Sequence, residues 1–214
     1  MSNLSIETFL DYLTTYNEAI FPMQIFAYIL GIIAVILAFK ETRLASRIIS
    51  SILALMCLWV GLGFGLPFAL QGEIIGILTA TLFSILGALF VWQAIRPGII
   101  FGTSSKSFTW LGFLFISFAM VGYPILGYFV GHVYPQSMSF GLTPCPLAIF
   151  MLGLFMLTSK KVPRVLLILP FFYSISGVIP FALGIPEDLG LVFSGLVCVP
   201  LIYLRDQNPK PGIE

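Results

Sequence analysis

Seven uninterrupted apolar stretches run along the chain, at about 20–39, 48–70, 74–95, 109–131, 143–158, 165–184 and 189–204. Their continuity predicts helices, since membrane barrel strands would show about ten residues of alternating apolar and polar positions. A helix needs about 20 residues to cross the hydrocarbon core, which most of these stretches supply, the fifth and seventh being short. Lipid cannot satisfy backbone N–H and C=O groups, so helices with all their bonds internal are the expected form. Residues 1–19 read differently: Ile6, Phe9, Leu10, Leu13 and Tyr16 recur with helical spacing, and Glu7 and Asp11 fall off that stripe. This predicts an amphipathic helix lying on the outer leaflet, held there by burial of its apolar face. The expected organisation is one integral domain over 1–214: a surface helix at 1–19, an all-α seven-helix transmembrane bundle at 20–204 and a tail at 205–214.

The polar intervals add orientation. Lys40, Arg43 and Arg47 share one interval, Arg96 and Lys106 the next alternate one, Lys160, Lys161 and Arg164 the third, and Arg205 and Lys210 the tail. The intervening gaps hold no Lys or Arg but carry Glu7, Asp11, Glu18, Glu73, Glu187 and Asp188. Basic residues flanking spans are retained on the cytoplasmic side, which predicts an outer N-terminus and a cytoplasmic C-terminus. Trp92 and Trp110 fall near the expected cytoplasmic boundary, and Tyr12, Tyr16 and Tyr134 near the outer one, as interfacial aromatics do.

Composition agrees with the class. The chain is 59% hydrophobic and 9% charged, too few charges to cover a water-exposed surface, so its solvent is lipid. Its three cysteines, Cys57, Cys145 and Cys198, are too widely spaced for a CxxC pair or a disulfide framework. An internal duplication is suggested by Pro67-Phe68-Ala69-Leu70 and Pro180-Phe181-Ala182-Leu183, each followed by an acid and a Gly-containing apolar start (Glu73…Gly76, Glu187…Gly190). Pro22 and Gly31 in the first stretch match Pro144 and Gly153 in the fifth, giving three helices, a linking fourth and three again, a parallel repeat of the kind known among transporters. Short matches of this type also arise freely in a chain rich in Leu, Phe and Gly. Gly61/Gly65 and Gly127/Gly131 have the small-xxx-small spacing of close helix packing. Pro124, Pro170 and Pro180 predict kinks.

Candidate chemistry gathers on the outer side. Ionisable groups within a membrane are expensive and mark function, but from Ser107 to Ser159 there is no Asp, Glu, Lys or Arg. That argues against a midplane proton relay. A retinal Schiff base would require a Lys in the seventh span, which has none. Catalytic zinc takes three protein ligands, and the chain has a single histidine, His132. No Gly-x-Ser-x-Gly-like nucleophile turn is present either, so no catalytic residue is assigned. What remains is Asn17, Glu18, Tyr123, His132, Cys145, Glu187 and Asp188, all on the expected outer face. Thr143-Pro144-Cys145-Pro146 is the most distinctive piece: proline interrupts the helix ladder, which could expose the thiol, although the prolines could equally shape the helix start while Cys145 packs. Thiol and imidazole suit soft metals, making Cys145 and His132 the candidate metal ligands. The acids lie at outer helix starts, where the helix dipole favours negative charge, so capping and a binding vestibule are alternative roles for them.

Several of these segments together carry a resemblance. Tyr16-Asn17-Glu18-Ala19, Gly122-Tyr123-Pro124, Gly131-His132-x-Tyr134-Pro135, Phe140-Gly141-Leu142-Thr143-Pro144-Cys145-Pro146 and Pro186-Glu187-Asp188-Leu189-Gly190 resemble an uncharacterised bacterial membrane family, the domain of unknown function 6064. The resemblance spans nearly the whole chain and implies a multi-pass bacterial membrane protein, without an activity. The functional expectation is a small permease or facilitator in the inner membrane, with an outer-facing site for a small solute or soft metal ion. No cofactor or nucleic acid is expected, and the bilayer is the expected partner. The alternatives are a non-catalytic assembly or sensor subunit, or an enzyme using the outer His/Cys/acid cluster.

Overall fold

The computed structural model describes residues 5–103 and 105–207, and among these the chain is helical, with a single isolated β-bridge between Phe101 and Thr158. The helices are α1 (Ile6–Ala19), α2 (Met23–Ala38), α3 (Arg43–Leu58), α4 (Leu66–Leu70), α5 (Ile74–Ile95), α6 (Lys106–Ser117), α7 (Tyr123–Val130), α8 (Pro144–Met156), α9 (Arg164–Ser176), α10 (Val178–Ala182) and α11 (Leu189–Gln207). A π-helical segment, Trp59–Gly65, joins α3 to α4, another, Phe118–Gly122, joins α6 to α7, and a 3₁₀ turn, Pro186–Asp188, leads into α11.

All seven apolar stretches are helical and in the expected order, but they are not seven full spans. Among the described residues, five continuous helices are long and apolar enough to cross a membrane: Arg43–Leu70, Ile74–Ile95, Lys106–Val130, Arg164–Ala182 and Pro186–Gln207. The first stretch is α2, bent by 84° from α1, and the two make a sixth span only if taken as one broken element. The fifth, α8, has 13 residues, about 20 Å at 1.5 Å per residue against a hydrocarbon core of about 30 Å. Its surroundings explain how so short a helix is accommodated. Every residue of α8 is buried, with α6 and α11 its principal neighbours. Chain segments fold inward at both of its ends. At one end Gly102 N–H donates to Leu157 O (2.9 Å) and Ser159 N–H to Ile100 O (3.0 Å). At the other, Thr143 is fully buried and its hydroxyl donates to Ser139 O (2.9 Å). The apolar run of α8 is thus a protein core, whereas those of α2 and α5 carry residues facing outward, such as Ile32, Ile36 and Ile77.

The π segments have a local cause. Pro67 and Pro124 each stand two residues beyond one of them. A proline removes a ladder bond and presses on the carbonyl four residues back, and a widened turn relieves that clash. The carbonyls loosened in this way find side-chain donors: Tyr28 Oη donates to Met120 O (2.9 Å), four residues before Pro124, and Tyr12 Oη donates to Phe64 O.

The second of these bonds bears on α1. Its apolar face was expected in lipid, but it packs on the protein, with Phe9, Tyr12, Leu13 and Tyr16 buried. Tyr12 stacks on Phe68 (ring centroids 4.5 Å apart) and Tyr16 meets Phe64 edge to face (5.1 Å). Tyr16 Oη donates to Leu142 O (2.7 Å) and accepts from Trp59 Nε1 (2.8 Å). These hydroxyls need polar partners, which the loosened helix and the 131–143 loop offer and acyl chains do not. Tyr16→Phe is expected to lower stability by about 1–2 kcal/mol, since it leaves a part-buried indole N–H and a carbonyl on the buried side without their shared partner. Denaturant unfolding in detergent micelles measures this, with Thr15→Ala on the exposed side of α1 as a reference.

The described basic residues collect at the end of the bundle opposite α1. Arg47 donates to Ile95 O (3.2 Å) at the end of α5, Gly102 N–H joins that side to Leu157 O (2.9 Å), and Arg205 reaches Thr158 O (3.1 Å) beyond α8, so these intervals share one end. Lys210 lies outside the described residues. The small-residue readings divide. Gly61 and Gly65 lie against the backbone of α5, where an added Cβ would come 2.8 Å from Ser84 N and 2.5 Å from Ala80 N. Gly131, in contrast, ends α7 in the left-handed region (φ 98°) with open space around it, so it is a turn glycine and not a packing one.

Candidate functional site

The breaks in the helices decide what meets at the α1 end. The Phe118–Gly122 turn delivers Tyr123 at the start of α7, Pro144 starts α8 one residue before Cys145, and the Pro186–Asp188 turn carries two acids inward. Asp188 is fully buried at the centre of this convergence. Tyr123 Oη donates to its Oδ1, and Cys145 Sγ–H donates to its Oδ2 (3.4 Å). On its far side Cys145 approaches Tyr173 Oη of α9 (4.0 Å), while Tyr123 Oη lies 3.5 Å from Met138 Sδ of the 131–143 loop. The thiol is buried, not exposed as the flanking prolines allowed: α8 starts inside the bundle, and Cys145 keeps 3% of its surface.

Two further groups of the predicted site residues border this centre. His132 Nδ1 pairs with Glu187 Oε1 at 2.8 Å, beside Gly127, whose missing side chain leaves room for the carboxylate. Asn17, fully buried at the end of α1, organises the loop: Nδ2 donates to Pro135 O and Ser137 O (2.7 Å each), and Oδ1 accepts from Ser139 Oγ (2.7 Å). Through that loop Asn17 is linked to Met138 and hence to Tyr123. Glu18 does not join them; it is exposed on the outer side of α1. Glu187 and Asp188 sit in the first turn of their span, as the capping role expects, and also hold side-chain partners. Glu73 stands at the N-cap of α5 without a side-chain cap bond.

A cavity of about 30 Å³ adjoins the cluster, lined by Ile6 and Phe9 of α1, Phe64, Cys145, Tyr173 and Pro180 among others. That is room for about one water molecule. α1 thus forms part of the cavity wall, and apart from Cys145 and Tyr173 the lining is mostly apolar.

Tyr173 and Met138 did not emerge from the sequence. The available signal for Tyr173 was a phenol within an apolar stretch, the same signal that Tyr123 gave. Cys145 and His132 have different partners, and no group of three or more His, Cys, Asp or Glu among the described residues is arranged to hold a metal ion. Chemically, the cluster offers hydroxyl, thiol and carboxyl groups in an enclosed, mostly apolar setting, suited to hydrogen-bonding a small polar group.

Comparison with curated proteins and with solved structures finds no match. A model of a family described as a family of unknown function, DUF6064, matches residues 6–211. That match covers nearly the whole chain, including all five segments that carried the resemblance, and the protein belongs to this family.

Proposed function

We propose that the protein is a small permease or facilitator of the bacterial inner membrane, which recognises a small neutral solute at the Tyr123–Cys145–Tyr173–Asp188 cluster from the outer, α1-bearing side. The observation that carries this reading is the placement of Asp188: a fully buried carboxyl group whose two oxygens meet a phenol and a thiol, beside a cavity. Sites in secondary transporters are commonly built where spanning helices are interrupted, and here the π segment before Tyr123, the break at Gly177 and the 3₁₀ turn before α11 surround the cluster. A neutral solute is favoured over a soft metal ion because His132 and Cys145 belong to separate pairs. The outer placement follows from the basic residues at the opposite end. Buried α8 blocks passage in this conformation, and solute access requires α1 to lift from the cavity.

The smallness of that cavity favours one other reading, a non-catalytic assembly or sensor subunit that takes no solute. An enzyme built on a His132–Cys145 pair has no corresponding arrangement, since each side chain has another partner. A thermal-shift screen of the purified protein against neutral polyols, sugars and amides separates the two remaining readings, because a ligand of the folded state raises Tm in a concentration-dependent way. A hit is expected, with Cys145→Ser and Tyr173→Phe weakening it about tenfold, the scale of one lost hydrogen bond. Uptake of the same solute into proteoliposomes should fall in parallel. If none of these solutes shifts Tm of the well-folded protein, the permease reading is overturned in favour of the assembly subunit.

A further inference from the structure

A second polar feature at the α1 end lies outside the cluster. Glu187 is 2% exposed and uses only one carboxylate oxygen: Oε1 holds His132, while Oε2 is buried and meets no hydrogen-bond donor. A buried carboxylate oxygen without a donor is costly. The same residue lines a groove on the outside of the bundle, between α7 and α11, whose other walls include Phe118, Leu126, Gly190, Phe193 and Leu196. Leu126, Phe193 and Leu196 are exposed on helices long and apolar enough to span, so the medium around them is acyl chain. Gly190 contributes to the shape, because it lets the Phe118 ring lie where a Cβ would stand 2.1 Å from it.

We propose that this groove is a binding site for a membrane phospholipid with a primary-ammonium headgroup. One acyl chain lies along Phe193 and Leu196 towards the middle of the membrane. The ammonium sits at the α1 end, and a rotation of the Glu187 carboxylate brings Oε2 from its buried position to the groove, where it accepts from the ammonium and completes the carboxylate that His132 half satisfies. The chemistry selects the headgroup: Glu187, at the edge of the groove, holds an unpaired anionic acceptor, and a primary ammonium brings both N–H donors and positive charge, whereas a quaternary ammonium brings charge alone. This site is separate from the Cys145 cavity and stands whether or not a solute binds there.

The test is lipid binding to the purified full-length chain in detergent micelles, read as the shift in Tm on titration with dioleoyl phosphatidylethanolamine or dioleoyl phosphatidylcholine. Their acyl chains are identical and only the former has N–H donors. The ethanolamine lipid is expected to bind about tenfold more tightly, the scale of one charge-assisted hydrogen bond. Glu187→Gln should erase that preference, and Leu126→Trp, which fills the groove and leaves the carboxylate intact, should weaken both lipids. Equal affinity of the wild-type protein for the two lipids overturns the proposal, as does a Glu187→Gln variant that keeps the preference. If Glu187→Gln does not fold, Leu126→Trp decides: unchanged binding of both lipids places them elsewhere and also overturns it.

Discussion

Asp188→Ala is expected to destabilise the protein by about 2–3 kcal/mol, more than a single hydrogen bond in a membrane protein usually contributes. Interhelical side-chain bonds in bilayers average about 0.6 kcal/mol, because the separated helices also find partners. Asp188 differs in position. It is fully buried and accepts from two side chains on two other helices, Tyr123 of α7 and Cys145 of α8. Its removal leaves the Tyr123 hydroxyl with only the weakly accepting Met138 sulfur and the Cys145 thiol with the distant Tyr173 oxygen. It also opens space next to an existing cavity. Asp188→Asn keeps the volume and one carbonyl acceptor, so it should recover about half of the loss. A double-mutant cycle of Asp188→Ala with Tyr123→Phe gives the sharper result. The two residues share one bond, so their effects should fall short of additivity by about 1 kcal/mol, whereas additive effects would mean that Tyr123 and Asp188 do not meet. If the cluster is also the solute site, Asp188→Asn removes binding while leaving most of the stability in place.

The architecture was legible in the chain to the extent that it depends on hydrophobic length. The seven apolar stretches became seven helical segments, and the alternation of basic and acidic intervals matches the two ends of the bundle. What hydrophobicity does not encode is the identity of the apolar surroundings. The run 144–156 would read the same facing acyl chains or facing Phe, Leu and Ile side chains; only the packing shows α8 as the enclosed centre. The same ambiguity affected α1, whose amphipathic stripe is equally suited to a leaflet or to the Phe64–Phe68 surface. The expected repeat illustrates the difference between local and global pattern. Both Pro-Phe-Ala-Leu segments do end helices close before a left-handed glycine, Gly72 (φ 88°) and Gly184 (φ 105°). The paired first and fifth stretches nevertheless have unlike surroundings: four of the 16 residues of α2 are buried and all 13 of α8.

The candidate site was legible as a set of residues at one end, because topology alone brings Tyr123, Cys145, Glu187 and Asp188 to the same face. Their grouping was not. Neither spacing nor composition could separate the His132–Glu187 pair from the Cys145–Asp188 pair, because the choice rests on which way a 3₁₀ turn points two consecutive acids. Glu18 shows the complementary limit: it adjoins Asn17 in sequence, yet one helical position separates a fully buried side chain from an exposed one.

A large loss should also come from Gly153, in the last turn of α8. α6 and α8 cross there at a distance set by two glycines: a Cβ on Gly153 would lie 3.0 Å from Gly112 O and 3.0 Å from Ile116 N, and a Cβ on Gly112 would lie 2.9 Å from Gly153 O. Ile116 Cγ1 (2.9 Å) could turn aside, but the other two atoms are backbone, so a rotamer change alone does not relieve the contact and the helices must give way. Membrane helices are held by close van der Waals packing more than by a hydrophobic drive, and a small separation therefore loses many contacts together. Gly153→Ala is expected to cost about 2–3 kcal/mol, the upper range for overpacking in a tight core. Gly153→Leu should abolish folding altogether, because each residue of α8 is enclosed and the helix has no lipid-facing side towards which it could turn. Gly63→Ala supplies the comparison. Its Cβ would meet the Trp59 ring at an ordinary 3.5 Å, so the change should be neutral or gain up to about 1 kcal/mol from the stiffer unfolded chain. Size-exclusion profiles and unfolding curves of the three variants in the same detergent measure the order. Gly153→Leu eluting as a folded, wild-type-like species would mean that α8 is not the enclosed centre of this bundle.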